Sequence, residues 1–574
     1  MNLRPHFRTL CVFPLGLLGM ARAAAAPAVS ADPMLELPKF VVTDRQKLPP
    51  PESWRYAKIP GFEVLANASN VDTQRFLRDF QMLQEVMDVV WPALRQAAPP
   101  LPTSLIVFGQ SKEVRDFLHS KLRVVGDEII DFQPLVFAAG NPAIPPPGAP
   151  GNHRVASGFY ADDESACIVI HLAGSGTGLA DPYRQFYGEY VKYLVARLDP
   201  VAPLWLRAGL GQLFAGVDFT DKWIGFGQIG AGGQRVNDFN TLLGNGLTGA
   251  PGGEQIVSGG AFPSLAEMLR ADEVRLQDDR YQALAYEFVH MCLYGRGKQF
   301  QKPFLTYLAR AKGAPLSEAL FQECFGRSLK KMQDELQAYA GFTDYRWSQI
   351  VAKKGHALAT PPEALLREAT PAEIGRIKGQ GLLLAGHRDA ARVALITPYV
   401  RGEYDPELLA ALGLFEIAAG KPERARKFLE SAVAGHTAQP GAYLALARLR
   451  HAEQWRAFSG PLDDRQRETV LAPLRTATAL PPLVGVYELM VEVWLQSAAR
   501  PAAADLDLLD KGVRDFPHQL RLVYHAAQLC ADSGFPKRAA SLADWGHRLA
   551  LETADKERFA QLQANLPAVP PGVK

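Results

Sequence analysis

The chain has 574 residues and a mass of 62.8 kDa, too long for one hydrophobic core and, at about 150 residues per domain, sized for three or four packed units. Its 62 Lys plus Arg against 60 Asp plus Glu leave a formal charge of +2. That balance excludes a general nucleic-acid binder, which needs a basic surplus to displace counterions from phosphates. Hydrophobic residues at 48% and charged residues at 21% exclude wholesale disorder, and five cysteines in this length exclude a disulfide-stapled scaffold.

In chain order, the first segment reads as an address. Arg4 and Arg8 precede a short apolar run from Leu10 to Met20, followed by small residues up to Ala26. This is the layout of an export signal over 1–26, which sends the mature protein to a periplasmic or extracellular setting. The run is about half of the roughly 20 apolar residues a bilayer span needs, so no transmembrane segment is expected. Cys292 and Cys324 then either form a bridge or remain buried thiols.

Residues 27–60 are proline-rich and read as extended chain. A strand follows at 61–69, then a helix that ends at Pro92, and a second strand at 101–110. Ser111 is placed to cap a further helix. After a Pro/Gly-rich loop, 158–172 reads as a β-hairpin. Its acidic tip, Asp162–Asp163–Glu164, is either a plain turn or a weak Ca²⁺ contact. From residue 182 to 340 the pattern is helical, interrupted by twelve glycines between 225 and 260. That insert lacks the GxxxxGK[ST] pattern of a phosphate cradle and reads as a surface loop.

Residues 361–566 are Ala/Leu-rich and carry a repeat. GHRDAARVAL, GKPERARKFL and GFPKRAASLA place a turn glycine (Gly386, Gly420, Gly534) five residues before Ala391, Ala425 and Ala539. Seven residues before each glycine stands a small residue, Gly379, Gly413 or Ala527, where two helices must approach closely. The first two copies lie 34 residues apart. This period resembles tetratricopeptide repeats, helix pairs stacked into a solenoid. Between Gln454 and Pro481 the register is lost, as a degenerate or interrupted copy would require.

The chemistry-bearing stretch is YRQFYGEYVKYLVARLDPVAPLWLRAGLGQLFAG at 183–216. It reads as an amphipathic helix, an Asp-Pro break and a second helix. Here the chain resembles the peptidase MA-like gluzincins, secreted zinc metallopeptidases distantly similar to thermolysin. In that family two histidines at i and i+4 bind Zn²⁺, the glutamate after the first polarises the metal-bound water, and a carboxylate on the next helix completes the ligand set. The resemblance extends over about 60–345.

Laid on that pattern, Glu189 takes the place of the general base. The ligand positions fall on Gly188, Lys192 and Ala208. Hydrogen, ammonium and methyl groups offer no lone pair to a metal. Twelve histidines are present and no two stand three or four residues apart, so no alternative helical pair replaces the lost ligands. No metal site and no cofactor are therefore expected, zinc being lost. Glu189 and Lys192, three residues apart, either form an ordinary solvated pair or hold each other in the old cleft. Tyr190, Trp205, His171 and Tyr281 are the candidate cleft residues, with His290 as a structural histidine. Gly188 inside a helix costs up to about 1 kcal/mol against alanine, which points to close packing or tolerated decay.

The expected fold class is α+β, mainly α. A thermolysin-like domain has an α/β lobe (27–175) and a helical lobe (176–345), and a linker (346–360), helical repeats (361–566) and a tail (567–574) follow it. The expected activity is binding of a peptide or protein by a catalytically degenerate pseudopeptidase. Two alternatives stand beside it: a hydrolase using Glu189 in an unconventional site, and a passive envelope scaffold.

Overall fold

The computed structural model describes residues 37–38, 49–91, 101–109, 117, 156–172, 183–198, 201–220, 222–226, 263–311, 316–340, 348–351, 360–457 and 460–566. The segment read as an export signal, the cap expected at Ser111, most of the Gly-rich insert and the stretch read as a tail lie outside them. Among the described residues nineteen α-helices accompany two small sheets, and no helix is long and apolar enough to cross a membrane.

The main sheet has six strands in the order β4-β5-β3-β2-β1-β9. They are β1 (Arg55–Ile59), β2 (Phe62–Ala66), β3 (Thr103–Phe108), β4 (Ala156–Ala161), β5 (Ala166–His171) and β9 (Arg367–Glu368). β2, β3 and β5 run parallel, while β1, β4 and β9 are antiparallel to their neighbours. The hairpin expected at 158–172 is β4–β5, and its outer strand is β4. In this sheet two strands went unread: the end of the proline-rich stretch is the paired strand β1, and β9 extends the sheet beyond it.

Side chains alternate across this sheet with the period of two that a strand imposes. Val64, Leu105, Val107, Ile168 and Ile170 point into a core with α1 (Asn70–Val90) and α2 (Tyr183–Ala196). Leu65, Ile106, Phe108, Cys167 and Val169 point into a second core. That second core is shared with α9 (Pro371–Leu384), the first helix of the repeats. A side chain at Gly381 would strike the Cys167 sulfur at 2.7 Å, so the helix lies directly on the strands. Arg376 pairs with Glu63 at 2.9 Å and Lys378 with Glu52 at 2.6 Å on the same seam.

The helical lobe contains α3 (Leu204–Ala215), α4 (Leu265–Leu269), α5 (Asp279–Tyr294), α6 (Gln301–Ala311), α7 (Glu318–Phe325) and α8 (Leu329–Ala340). A second sheet joins β6 (Asp218–Phe219), β7 (Trp223–Phe226) and β8 (Ser348–Val351). β8 falls in the stretch expected to be a linker: residues 348–351 are paired with β7 in register. Further on, Gln74 donates to the Ala364 carbonyl at 2.6 Å. Sheet, helical lobe and repeats belong to one compact unit that begins at Leu37.

The repeats are antiparallel helix pairs. α9 pairs with α10 (Arg388–Val400), α11 (Pro406–Ala418) with α12 (Pro422–Ala434), and α13 (Pro440–Ala457) with α14 (Asp464–Ala477). α15 (Val484–Leu495) and α16 (Ala503–Asp515) continue the array. α17 (Leu520–Asp532) then pairs with α18 (Pro536–Leu549), and α19 (Thr553–Ala564) closes the described chain. The repeat frame holds atom by atom. Gly386, Gly420 and Gly534 have φ of 88°, 73° and 87°, the left-handed turn that glycine enters without strain. After each, the next amide closes a six-to-one bond: His387 to Leu382, Lys421 to Glu416 and Phe535 to Cys530, each at 2.8 Å. An added side chain at Gly379 would strike Leu395, and one at Gly413 would meet Leu429 at 2.6 Å. In the interrupted copy, Leu462 is held by backbone bonds to Gln496 and Ala498.

Candidate functional site

Residues 183–216 form two neighbouring helices, α2 and α3, whose crossing point has no side chain on either partner. A Cβ at Gly188 would lie 2.6 Å from the Gly211 carbonyl oxygen. A Cβ at Gly211 would lie 2.5 Å from Lys192 Cγ. Glycine at 188 is therefore a matter of close packing. On the other flank of α3, a Cβ at Gly209 would strike the Ala285 carbonyl of α5 at 2.6 Å, so α3 is wedged between two helices.

The Lys192 stem crosses Gly211 and carries its ammonium back to Glu189, at 3.0 Å from Oε1. The side chains are 12% and 6% exposed, so the solvated-pair reading does not hold. Burial pushes the Glu189 carboxyl above its ordinary range, and the Lys192 and Arg207 charges oppose that shift. Glu189 Oε2 is buried and has no hydrogen-bond partner among the described residues.

The positions assigned to metal ligands do not fit a metal. Gly188 has no donor atom, Ala208 presents a buried methyl group, and Lys192 places a cation beside the carboxylate. Among the described residues, no three His, Cys, Asp or Glu side chains group to hold an ion. Chemically, the arrangement is a buried carboxylate whose Oε1 is held by an ammonium that opposes its protonation, while Oε2 carries no such partner among the described residues.

The other candidates scatter. Tyr190 is 4% exposed, with its ring against Phe80 at 4.8 Å in the core under the sheet. Trp205 is 3% exposed and packs on Phe288 and Phe304 in the helical lobe. Large aromatic rings bury most area there, and both are core residues where cleft walls were expected. His171 is half-buried at the end of β5 opposite Phe108 and Ala156, and burial lowers its pKa. Tyr281 is half-buried against the helical-lobe core in the first turn of α5. His290 is fully buried with Nδ1 2.7 Å from the Tyr339 hydroxyl, a hydrogen-bonded structural residue. Cys292 and Cys324 are both free thiols. At the hairpin tip, Asp162 Oδ1 accepts from the Glu164 and Ser165 amides at 3.0 and 2.9 Å, so its carboxylate closes the turn.

Two features escaped sequence reading. Glu287, on α5, is 2% exposed, and burial pushes its carboxyl up to about 8. Its only sequence signal is an acid set among the apolar and aromatic residues from Ala283 to Val289. The second feature is a groove of about 530 Å³ lined by α13, α15 and α17, the first helices of successive pairs. It meets a further pocket of about 460 Å³ between α17 and α19, with Arg521 and His525 common to both.

No family model matches the chain, and no curated protein does. Among solved structures it is similar to PilF of Pseudomonas aeruginosa, at 18% identity over 33% of this chain and 88% of that one, with a TM-score of 0.26. A MamA structure covers 35% of this chain and 98% of its own at 17% identity and a TM-score of 0.24. TTC0263, a tetratricopeptide protein of Thermus thermophilus, covers 34% and 99% at 18% identity and a TM-score of 0.23. At such scores these likenesses add nothing to the helix-pair geometry. That geometry itself is tetratricopeptide-like.

Proposed function

We propose that this chain is an exported, gluzincin-like pseudopeptidase that works as a peptide- or protein-binding module through its helical repeats. The observation that carries the reading is the buried Glu189–Lys192 pair, which puts a cation of the protein's own where a zinc enzyme would need donor atoms. Helix-pair arrays present extended surfaces suited to a chain-like ligand, and the groove along α13, α15 and α17 is such a surface. The old metal region then serves as a packed core, and Glu189 is a vestige of a general base.

The test sets binding against turnover on the purified full chain. Incubation with casein and with a display library of extended peptides should yield retained peptides and no cleavage products. Cleavage abolished by Glu189→Gln would replace this reading with an unconventional hydrolase. Absence of both binding and cleavage would leave a passive scaffold.

A further inference from the structure

Two hydrophobic cores meet along α13. Ala442, Ala445 and Leu446, on one side of the helix, belong to the core that the main sheet shares with the helices from α9 to α12. Tyr443, Leu444 and Ala447, on the other side, belong to the core of the helices from α14 to α19. α13 thus joins two packed bodies. The second is carried at the end of an array in which each pair rests mainly on its neighbours, so a small rotation at the joint moves everything beyond it.

The turn between β4 and β5 reaches this joint from the sheet. Arg448 Nη1, on α13, donates to Glu164 Oε1 at 2.5 Å. Glycines make room at both ends of the contact. A Cβ at Gly441, the second residue of α13, would lie 3.2 Å from Glu164 Oε2. One at Gly485, the second residue of α15, would lie 2.8 Å from Arg448 Nη2. The guanidinium therefore stands between the turn, which belongs to the first body, and α15, which belongs to the second. The contact bypasses the α11–α12 pair and closes a ring that runs from the sheet through α9, α11 and α13 back to the turn. The Glu164 and Arg448 side chains are 26% and 54% exposed, so this modest contact can part without opening either core.

We propose that the Glu164–Arg448 contact is a strap across a hinge. While it holds, it fixes the angle between the sheet and the pairs beyond α13, and its release lets the second body turn about α13. Hinges of this kind take up rotation at the boundary of an element while the packed bodies on either side stay intact. The groove of about 530 Å³ lies on the same joint, with α13 on one wall and α15 and α17 on the other. Its width therefore follows the state of the strap.

The test needs no ligand. Double electron–electron resonance on the full chain measures the distance between spin labels at Val71→Cys, exposed on α1 beside the sheet, and Lys556→Cys, exposed on α19. Cys11 and Cys324 are changed to Ser to keep the labelling specific. The parent should show one dominant distance. Glu164→Gln and Arg448→Met should each raise a second distance population about fivefold, the size an exposed ion pair supplies, with helix content by circular dichroism unchanged. High salt on the parent should raise the same population, because a partly exposed pair is screened. A distribution that stays as in the parent in either folded variant would overturn the strap, since a strap fails when either end is cut. Should a variant lose its helix content, the salt series on the parent decides, and no second population there would overturn it.

Discussion

Lys192 reaches Glu189 across 3.0 Å in a setting where the two side chains are 12% and 6% exposed. The ammonium arrives there because Gly211 on the facing helix leaves its stem a path. In a low-dielectric site, breaking one partner of such a pair costs more than the pair itself contributes. Lys192→Met should therefore destabilise the fold by about 3–5 kcal/mol near pH 8. Glu189 is an acid whose folded pKa is raised, so it is ionised more readily in the unfolded chain. The penalty should then shrink as pH falls toward the ordinary carboxylate range, where the buried group takes up a proton. Denaturant unfolding of the variant at pH 5 and pH 8 checks the sign, and Glu189→Gln added to Lys192→Met should recover most of the loss.

Gly188→Ala sets two effects against each other. Alanine gains up to about 1 kcal/mol of helix propensity. Its methyl group must also displace the Gly211 carbonyl, 2.6 Å from where it would sit. Overpacking of this kind costs about 1–3 kcal/mol, so a net loss of stability is expected. A gain in melting temperature would show that the helices are free to separate.

Glu287 predicts a pH effect of its own. With its carboxyl at about 8 when folded, the protein binds a proton there that the unfolded chain releases above its ordinary pKa. Stability should fall as pH rises from about 4.5 to 8, by on the order of 3–5 kcal/mol in total. Glu287→Gln keeps the shape without the charge, so it should flatten that slope and be the more stable protein at pH 8. Parallel pH-dependent unfolding curves for the two proteins would refute the assignment.

The sheet and the first repeat share a core, so they should unfold together. Ile377 is fully buried in that core, and Ile377→Ala should cost about 2–5 kcal/mol. Hydrogen exchange should show β3 and β5 losing protection along with α9. Loss confined to α9 would mean that the sheet stands without it.

Much of this architecture was readable in the sequence because local rules and tertiary packing agree. The turn glycines at 386, 420 and 534 and the small residues before them announce helix pairs, since few other residues satisfy a left-handed turn or a close crossing. The α2–α3 pair and the β4–β5 hairpin follow from periodicity in the same way. What stayed hidden depends on distant partners. β1 sits in a proline-rich stretch and gains its identity only from β2 and β9. Tyr190 and Trp205 look like cleft residues by position, yet buried aromatic rings and cleft-lining ones share the same spacing. Local pattern gives the Glu189–Lys192 spacing, but its burial depends on Gly211, nineteen residues further along than Lys192.

The central claim is that Glu189 and Lys192 form a buried ion pair of the protein's own, with no zinc held beside it. Isothermal titration of the purified full chain with zinc, paired with elemental analysis after dialysis, tests it most directly. The account predicts no saturable uptake that Glu189→Gln removes, and no retained metal. One zinc ion bound per chain and lost in Glu189→Gln would contradict it.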